Sequence, residues 1–305
     1  MMKKFLLGAS TIIGISALSS VPAFAYTLSG NDYLLYESNG TNTGINANAD
    51  VDHLLNGNSN NPGGNIELFA SSESVSLSNF LQSDDRTSIE GTVAGKQVVV
   101  SSLTAKDWFG TNLDTSYLAD TFATRWFNAF YQESGLETNE SLIKTVLAAQ
   151  NGDLSWLNAS SDRVRAAVYG TFLSDTVKGF QRTSDPNVSY IATKGSDLLI
   201  GLAGHDDLKA YYASQLGPLA ALIKDGFQAS EVVKVEYDGV TELLYSFNAT
   251  ESGLVEVSDN SSHDGNYEVK MSGVVSTQSV PEPSIMLGLV AVGGAIAASK
   301  RKSAR

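Results

Sequence analysis

Four large apolar side chains recur at four-residue spacing in the stretch L-A-D-T-F-A-T-R-W-F-N-A-F, residues 118–130. A spacing close to 3.6 residues puts such side chains on one face of an α-helix, so the stretch predicts an amphipathic helix over residues 114–134 that ends at Gly135. The same spacing predicts helices over residues 139–151 and 162–180. The centre of the chain is therefore expected to be helical.

Strand patterns lie outside these helices. Runs of alternating or β-branched apolar residues predict strands at 26–36, 66–70, 74–77, 88–93, 97–103, 198–202, 231–237, 240–247, 254–257 and 267–271. Ala94-Gly95 and Asp238-Gly239 are typical of tight hairpin turns. Strands before and after a run of helices predict an α+β fold with short N-terminal strands, a helical middle and a C-terminal antiparallel hairpin.

Composition divides the chain between its two ends into two regions. Residues 26–110 form a strand- and loop-rich region, and its Asn- and Gly-rich segment 38–65 is expected to consist of loops. Residues 111–276 form the α+β body, which also contains two shorter predicted helices that begin near Asp206 and Pro218.

The first 25 residues have the three parts of a secretory signal peptide. Two lysines supply the positive part, residues 5–18 the apolar part, and Ala23 and Ala25 flank the small-x-small cleavage motif. We expect signal peptidase to cut after Ala25, so that the protein is exported.

The segment 277–305 also has three ordered parts: Pro281, Glu282 and Pro283, then an uncharged apolar run at 285–298, then a Lys/Arg cluster. The prolines keep the chain extended before the run. A bilayer crossing needs roughly 20 apolar residues. The run is shorter than that, which predicts an apolar helix that enters the membrane transiently rather than a durable anchor.

In their order and position these parts resemble the PEP-CTERM sorting signal of exported bacterial proteins. The resemblance implies that exosortase, a membrane enzyme, recognises Pro281, Glu282 and Pro283, and that the apolar run is then removed. It implies a precursor tethered to the inner membrane and a mature protein in the cell envelope, on the outer surface or outside the cell, in association with exopolysaccharide. The resemblance covers the tail alone.

The net charge of −13 makes the chain acidic, and six of its 20 Lys and Arg residues lie in the two terminal segments. Nucleic acids and anionic membranes are bound by clustered Lys and Arg, so neither is an expected partner of the body. The chain has no cysteine, which excludes disulfides, thiol catalysis and cysteine-ligated metals. No cofactor is expected on these grounds.

One local pattern indicates calcium. Gly, Asp and Leu each repeat at nine residues in G-S-D-L-L-I-G-L-A-G-H-D-D-L, residues 195–208. This spacing resembles the calcium-binding nonapeptide of β-rolls, in which Asp197 and Asp206 would supply hard oxygen ligands. The competing interpretation is a buried strand, a tight turn at Gly204 and a helix cap at Asp206.

His205 lies in the same turn and is the candidate catalytic residue if the protein is an enzyme. Glycosidase chemistry requires two carboxylates about 5–9 Å apart, and local spacing selects no such pair. The sequence therefore favours a non-enzymatic surface or exopolysaccharide-associated protein, structural or adhesive, with exosortase, signal peptidase and extracellular polysaccharide as partners. The alternatives are a secreted hydrolase of matrix polymer and a calcium-dependent binding module.

Overall fold

The computed structural model describes residues 25–213 and 215–276, and it confirms the α+β class. Strands come first along the chain, helices occupy the middle, and strands return at the end. Among the described residues, no helix is both long enough and apolar enough to span a bilayer. Outside the described residues lie Ala23, Pro281, Glu282, Pro283 and the apolar run 285–298.

Two sheets form the β part of the molecule. Their strands are β1 (Thr27–Ser29), β2 (Tyr33–Ser38), β3 (Asn42–Ile45), β4 (Gly64–Leu68), β5 (Ser88–Val93), β6 (Lys96–Ser101), β7 (Asn187–Lys194), β8 (Asp197–Gly204), β9 (Val233–Tyr237), β10 (Val240–Leu244), β11 (Thr250–Glu251), β12 (Val255–Glu256) and β13 (Gly265–Met271). The five-stranded sheet has the order β1-β5-β6-β9-β10 and is antiparallel. The eight-stranded sheet has the order β11-β13-β8-β7-β4-β2-β3-β12, in which β12 runs parallel to β3.

The helices lie mostly between the two groups of strands in the chain. They are α1 (Val51–Leu55), α2 (Leu77–Gln82), α3 (Ala105–Phe109), α4 (Phe122–Glu133), α5 (Glu140–Asn151), α6 (Ser161–Leu173), α7 (Gly179–Arg182) and α8 (Leu208–Tyr212), with 3₁₀ turns at Ser72–Ser74, Glu137–Asn139, Leu154–Asn158 and Gly217–Leu222.

The two sheets share one apolar core, as in a β-sandwich. The five-stranded sheet contributes Ile89, Val98, Val100, Val233 and Val235, and the eight-stranded sheet contributes Leu35, Ile66, Leu68, Val188, Ile200, Leu202 and Met271. Alternate residues of β9 and β13 face this core, so their sequences alternate between buried and more accessible positions.

The helices enclose a second core that consists mainly of aromatic rings. The ring centroid of Trp126 lies 5.6 Å from that of Trp108 and 5.4 Å from that of Phe130. Trp108 is fully buried, and its indole N–H donates a hydrogen bond to Ser184 Oγ at 2.7 Å. Each such ring pair adds roughly 0.5–1.5 kcal/mol beyond the area it buries.

The helix predicted over residues 114–134 is shorter than expected. It begins only at Phe122, because the Thr121 side chain accepts a hydrogen bond from the Thr124 N–H and caps the helix there. The residues before it form turns, one of them closed by Asp114, and Leu118 is 83% exposed. The predicted end is confirmed, since Gly135 has a φ of 81°.

The helix predicted over residues 162–180 is broken into α6 and α7. Ser174 ends α6, and Lys178 takes a left-handed φ of 54° before α7 starts at Gly179. The backbone of Gly179 packs directly against the ring of Phe172, where a Cβ would lie 2.3 Å from ring carbons. The turn therefore folds α7 back onto the aromatic core.

Several short segments also differ from expectation. The predicted loop 38–65 contains β3 and α1, and the predicted strand 74–77 is instead a 3₁₀ turn followed by α2, which the Ser76 side chain caps. Asp207, not Asp206, caps α8, because its side chain accepts a hydrogen bond from the Lys209 N–H. Strand β7 was not predicted. Both hairpin turns are confirmed, since Ala94-Gly95 and Asp238-Gly239 have positive φ at both residues, as type I′ turns require.

The composition boundary near residue 110 does not separate independent folding units. Strand β6 pairs with β9, with Val98 opposite Tyr237, and β4 pairs with β7, with Ile66 opposite Val188. Both sheets thus contain strands from each side of the boundary, and residues from both sides share the sandwich core.

The contact between β7 and β8 gives a test of this packing. Gly201 lies opposite Tyr190, and an added Cβ would lie 2.1 Å from a carbon of the Tyr190 ring. We expect Gly201→Ala to lower the free energy of unfolding by about 1–3 kcal/mol, because the ring must move. Gly170→Ala, at an exposed position in α6 where an added Cβ meets open space, should raise it by about 0.5–1 kcal/mol. Urea unfolding measures both, and equal effects would contradict the packing.

Candidate functional site

A cleft of about 220 Å³ opens between the eight-stranded sheet and the helical part of the molecule. Strands β2, β4 and β7 supply Tyr36, Glu67 and Asn187, and the segments beside them supply Asp185, Glu231, His205 and Tyr211. The lining is therefore rich in groups that can hydrogen-bond or exchange protons.

Backbone pairing brings three acidic residues together in this cleft. Glu67 lies opposite Asn187 in the β4–β7 ladder, which places it beside Asp185. The Val232 N–H donates to the Thr183 carbonyl at 2.9 Å, which brings Glu231 to the same place. Glu67, Asp185 and Glu231 are called the carboxyl cluster below.

Asp185 is the most enclosed member of the cluster, with 7% of its surface exposed. Its Oδ2 accepts a hydrogen bond from Ser72 Oγ, whereas its Oδ1 has no hydrogen-bond partner among the described residues. Burial, reinforced by the charges of Glu231 and Glu67, raises the pKa of Asp185 well above its ordinary value. Burial therefore favours the protonated form of Asp185.

Glu231 presents a similar oxygen. Burial and the charge of Glu67 raise the pKa of Glu231 to about 8. Its Oε2 is enclosed and, like Asn187 Oδ1, makes no hydrogen bond within residues 25–213 and 215–276. Two acids and an amide thus leave oxygens unpartnered among the described residues of one cleft.

Glu67 differs because a hydroxyl donates to it. Tyr36 Oη lies 3.0 Å from Glu67 Oε2 and donates a hydrogen bond to it. Burial raises the pKa of Glu67 to about 7, while the hydrogen bond from Tyr36 limits the rise. Glu67 therefore ionises at a lower pH than Glu231, whose pKa is about 8.

The rim of the cleft carries a cation that is already paired. Arg182 Nη1 donates to Glu73 Oε1 and, at 2.7 Å, to Tyr211 Oη. Tyr211 Oη in turn donates to Glu73 Oε1 at 2.9 Å. Because Glu73 neutralises Arg182, the cleft keeps an acidic balance.

His205, the predicted catalytic candidate, lies at the rim and lines the cleft. Its Nδ1 lies 3.1 Å from the Ser261 carbonyl, which can only accept, so Nδ1 carries the proton in the neutral ring and Nε2 carries the lone pair. The ring packs against Tyr211 with centroids 4.6 Å apart. His205 is thus held in one orientation beside the cleft.

His263 lines the deeper side and is 5% exposed. Its Nδ1 lies 2.7 Å from Thr43 Oγ1 and 3.3 Å from Asn65 Nδ2. Because an amide nitrogen only donates, Nδ1 accepts and Nε2 bears the proton. Burial lowers the pKa of His263 to about 4, so the ring is neutral and supports Tyr36, which meets it edge to face at 4.7 Å.

The predicted calcium ligands do not meet. Asp197 begins β8 and Asp206 follows its end, so they lie at opposite ends of a strand that is about 23 Å long at roughly 3.3 Å per residue. Asp197 accepts hydrogen bonds from Lys270 Nζ and the Gly273 N–H, and Asp206 Oδ1 accepts one from Gln228 Nε2. In the part of the chain that the structure describes, no three His, Asp or Glu side chains form a group that could hold a metal ion.

Comparison with known proteins gives no relative. The chain matches no protein-family model, no curated protein and no solved structure. The site must therefore be interpreted from its own geometry.

No local sequence pattern predicts the carboxyl cluster. Its members lie far apart in the chain, and no local spacing connects Glu67, Asp185 and Glu231. One signal was present: Glu67 is a single acid inside the otherwise apolar run Ile66–Phe69, which is unusual for a buried strand. The pairing of β4 with β7 is what places this acid beside Asp185 in the cleft.

The buried acids predict how stability depends on pH. Because the pKa values of Glu67 and Glu231 are raised to about 7 and 8, the folded protein holds protons that the unfolded chain has already released above pH 5. The contribution of these two groups to the free energy of unfolding is fully present below the pKa that they have in the unfolded chain. It is lost as pH rises through their folded-state pKa values of about 7 and 8. His263 makes the free energy of unfolding rise with pH between pH 4 and 6.5. The effect of the acids is therefore measured without this opposing change above pH 6.5.

We expect the free energy of unfolding to fall by about 1–3 kcal/mol between pH 6.5 and 8.5, measured by urea unfolding at each pH. Glu231→Gln should flatten this slope, because an amide does not ionise. Glu251→Gln, at an exposed position in β11, should leave it unchanged. A free energy that is constant or rises across this window would contradict burial of the acids.

Proposed function

We propose that this chain is an exported protein of the cell envelope or extracellular matrix whose body binds one uncharged sugar unit of extracellular polysaccharide in the cleft. Its role on the cell surface is adhesive or structural. The proposal depends on one observation: Asp185, nine-tenths buried, leaves Oδ1 without a hydrogen-bond partner in the described chain and lines an open cleft.

Unpartnered buried polar atoms are costly, at about 1–3 kcal/mol each, and they favour a ligand that supplies the missing hydrogen bonds. Sugar hydroxyls both donate and accept. A carboxyl in its protonated form, which burial favours at Asp185, does the same, and the enclosed oxygens of Glu231 and Asn187 add acceptors nearby. The chemistry of the cleft thus fits a hydroxyl-rich, uncharged ligand.

The size and walls of the cleft support the same class of ligand. At about 30 Å³ per water, 220 Å³ corresponds to roughly seven water molecules, which is the room for a single pyranose ring with its hydroxyls. Tyr36 and Tyr211 are among its lining residues. Aromatic rings with a polar edge suit a ligand that has an apolar face and a hydroxylated rim.

Export is proposed from the sequence, and the mature N-terminus is consistent with it. The backbone nitrogen of Tyr26 donates to Asp52 Oδ1 at 2.7 Å, and the Tyr26 side chain is buried in the sandwich core. Cleavage after Ala25 would convert this nitrogen into an ammonium group and the contact into a charge-assisted hydrogen bond. Signal peptidase would then create a stabilising contact.

Sugar binding is tested by calorimetric titration of the mature protein with glucose, galactose, mannose, N-acetylglucosamine and polysaccharide extracted from the matrix of the producing cells. We expect binding of at least one of them, and about 10-fold or more weaker binding by Asn187→Ala, because a hydrogen-bonding partner is lost. Asn48→Ala, at an exposed position, is the matched control. Binding by none, or binding of calcium chloride alone, would contradict the proposal.

The sorting proposal predicts two processed ends. Mass spectrometry of the released protein should show Tyr26 as the first residue and loss of the apolar run 285–298. A variant with Pro281→Ala and Glu282→Ala should remain unprocessed in the membrane fraction, because exosortase would no longer recognise it. The control is Ser279→Ala, just before the motif. Equal release of the double variant and the unaltered chain would exclude this role of the tail.

A further inference from the structure

One acid of the carboxyl cluster, Asp185, lines the cleft and has an oxygen, Oδ1, without a hydrogen-bond partner among the described residues. Ser72 Oγ donates to the other oxygen, Oδ2, which leaves Oδ1 to carry the proton when the carboxyl is protonated. A ligand oxygen that reaches Oδ1 would accept a hydrogen bond from a group that can give up its proton.

The surroundings of a second carboxyl in the same cleft, Glu67, favour the form that accepts a proton. Tyr36 Oη donates a hydrogen bond to Glu67 Oε2 at 3.0 Å, and such a bond favours the ionised form. Burial raises the pKa of Glu67 to about 7, and burial, followed by the charges of Glu231 and Glu67, raises the pKa of Asp185 well above its ordinary value. Two acids whose environments separate their ionisation are the usual arrangement for acid and base catalysis.

The backbone fixes these two groups relative to each other. Glu67 is in β4, the Leu68 N–H donates to the Pro186 carbonyl at 3.1 Å, and Asp185 immediately precedes Pro186. A site on paired strands is more rigid than a site on loops. The ligand would be held between groups that do not move apart.

We infer that the cleft hydrolyses the glycosidic bond of the sugar that it binds, with Asp185 as the acid and Glu67 as the base. In this step the oxygen of a water molecule forms a bond to the anomeric carbon, and the bond from that carbon to the leaving oxygen breaks. The Asp185 Oδ1 proton moves to the leaving oxygen, and Glu67 takes a proton from the water. One water is consumed, and transfer of one proton from Glu67 to Asp185 restores the site.

The charges also define the substrate class. Glu73 and Asp259 line the rim, and Arg182 is already paired with Glu73. A uronic acid or a sulfated sugar would meet like charge without a free cation to balance it. The substrate is therefore a glycoside of an uncharged sugar, either a neutral hexose or an N-acetylated amino sugar.

This inference rests on the proposed binding of a sugar, so turnover and binding are measured separately. Turnover is followed as release of p-nitrophenol from the α- and β-p-nitrophenyl glycosides of glucose, galactose, mannose and N-acetylglucosamine, and as new reducing ends in extracted matrix polysaccharide. Alginate is the anionic comparison. Binding is measured by calorimetry with the same sugars.

We expect turnover of at least one neutral substrate and none of alginate. Asp185→Asn and Glu67→Gln keep size and hydrogen bonding but exchange no proton, so each should reduce turnover by 100-fold or more while affinity changes by less than about threefold. Asp120→Asn and Glu251→Gln, both exposed, should match the unaltered protein. His53→Asn, at an exposed position of α1, is the control for His205→Asn.

The outcomes separate the two proposals. Sugar binding without turnover of any substrate would overturn the hydrolytic role and leave the binding role intact. Turnover that survives both Asp185→Asn and Glu67→Gln but is lost in His205→Asn would overturn the assignment of the acid and the base. Absence of binding and turnover together would overturn both. Circular dichroism of each variant confirms that it is folded.

Discussion

The pairing of β4 with β7 is the constraint on which the rest of the molecule depends. It joins a strand from the first third of the chain to one that follows the helices, with Ile66 opposite Val188 and Glu67 opposite Asn187. On the apolar side, the pair closes the sandwich core. At the end of the ladder, where the chain enters β7 from α7, the same pairing sets Glu67 beside Asp185. Folding and site formation are therefore one event.

That arrangement has a cost that the core must offset. A buried carboxyl loses hydration, and three in one cleft also repel one another when ionised. The structure limits the cost by protonation, as the raised pKa values of Glu67 and Glu231 indicate, and by single donors such as Tyr36 and Ser72. Asp185 Oδ1 and Glu231 Oε2 still have no hydrogen-bond partner among the described residues. Buried groups that remain unpaired and titrate near neutrality are typical of functional sites.

The sequence predicts the parts of the fold that depend on local patterns. The fold class, the two I′ hairpin turns and the end of α4 at Gly135 all follow from spacing or turn chemistry within a few residues. The break before α7 did not follow, because it depends on contact between Gly179 and Phe172. The carboxyl cluster did not follow either, since its members meet only through strand pairing. His205 was found because its turn is local, although its neighbours in the cleft are not.

The position of His205 shows how the local and the long-range parts of the site fit together. Gly204 ends β8, and an added Cβ there would lie 3.1 Å from the Tyr267 ring and 3.8 Å from Glu231 Oε2. The glycine thus lets the chain pass close to the cluster before it turns outward. Tyr267 Oη then donates to the His205 carbonyl at 2.6 Å, which fixes that turn. The result is an open rim above an acidic floor, so a ligand can enter the cleft beside the acids that line it.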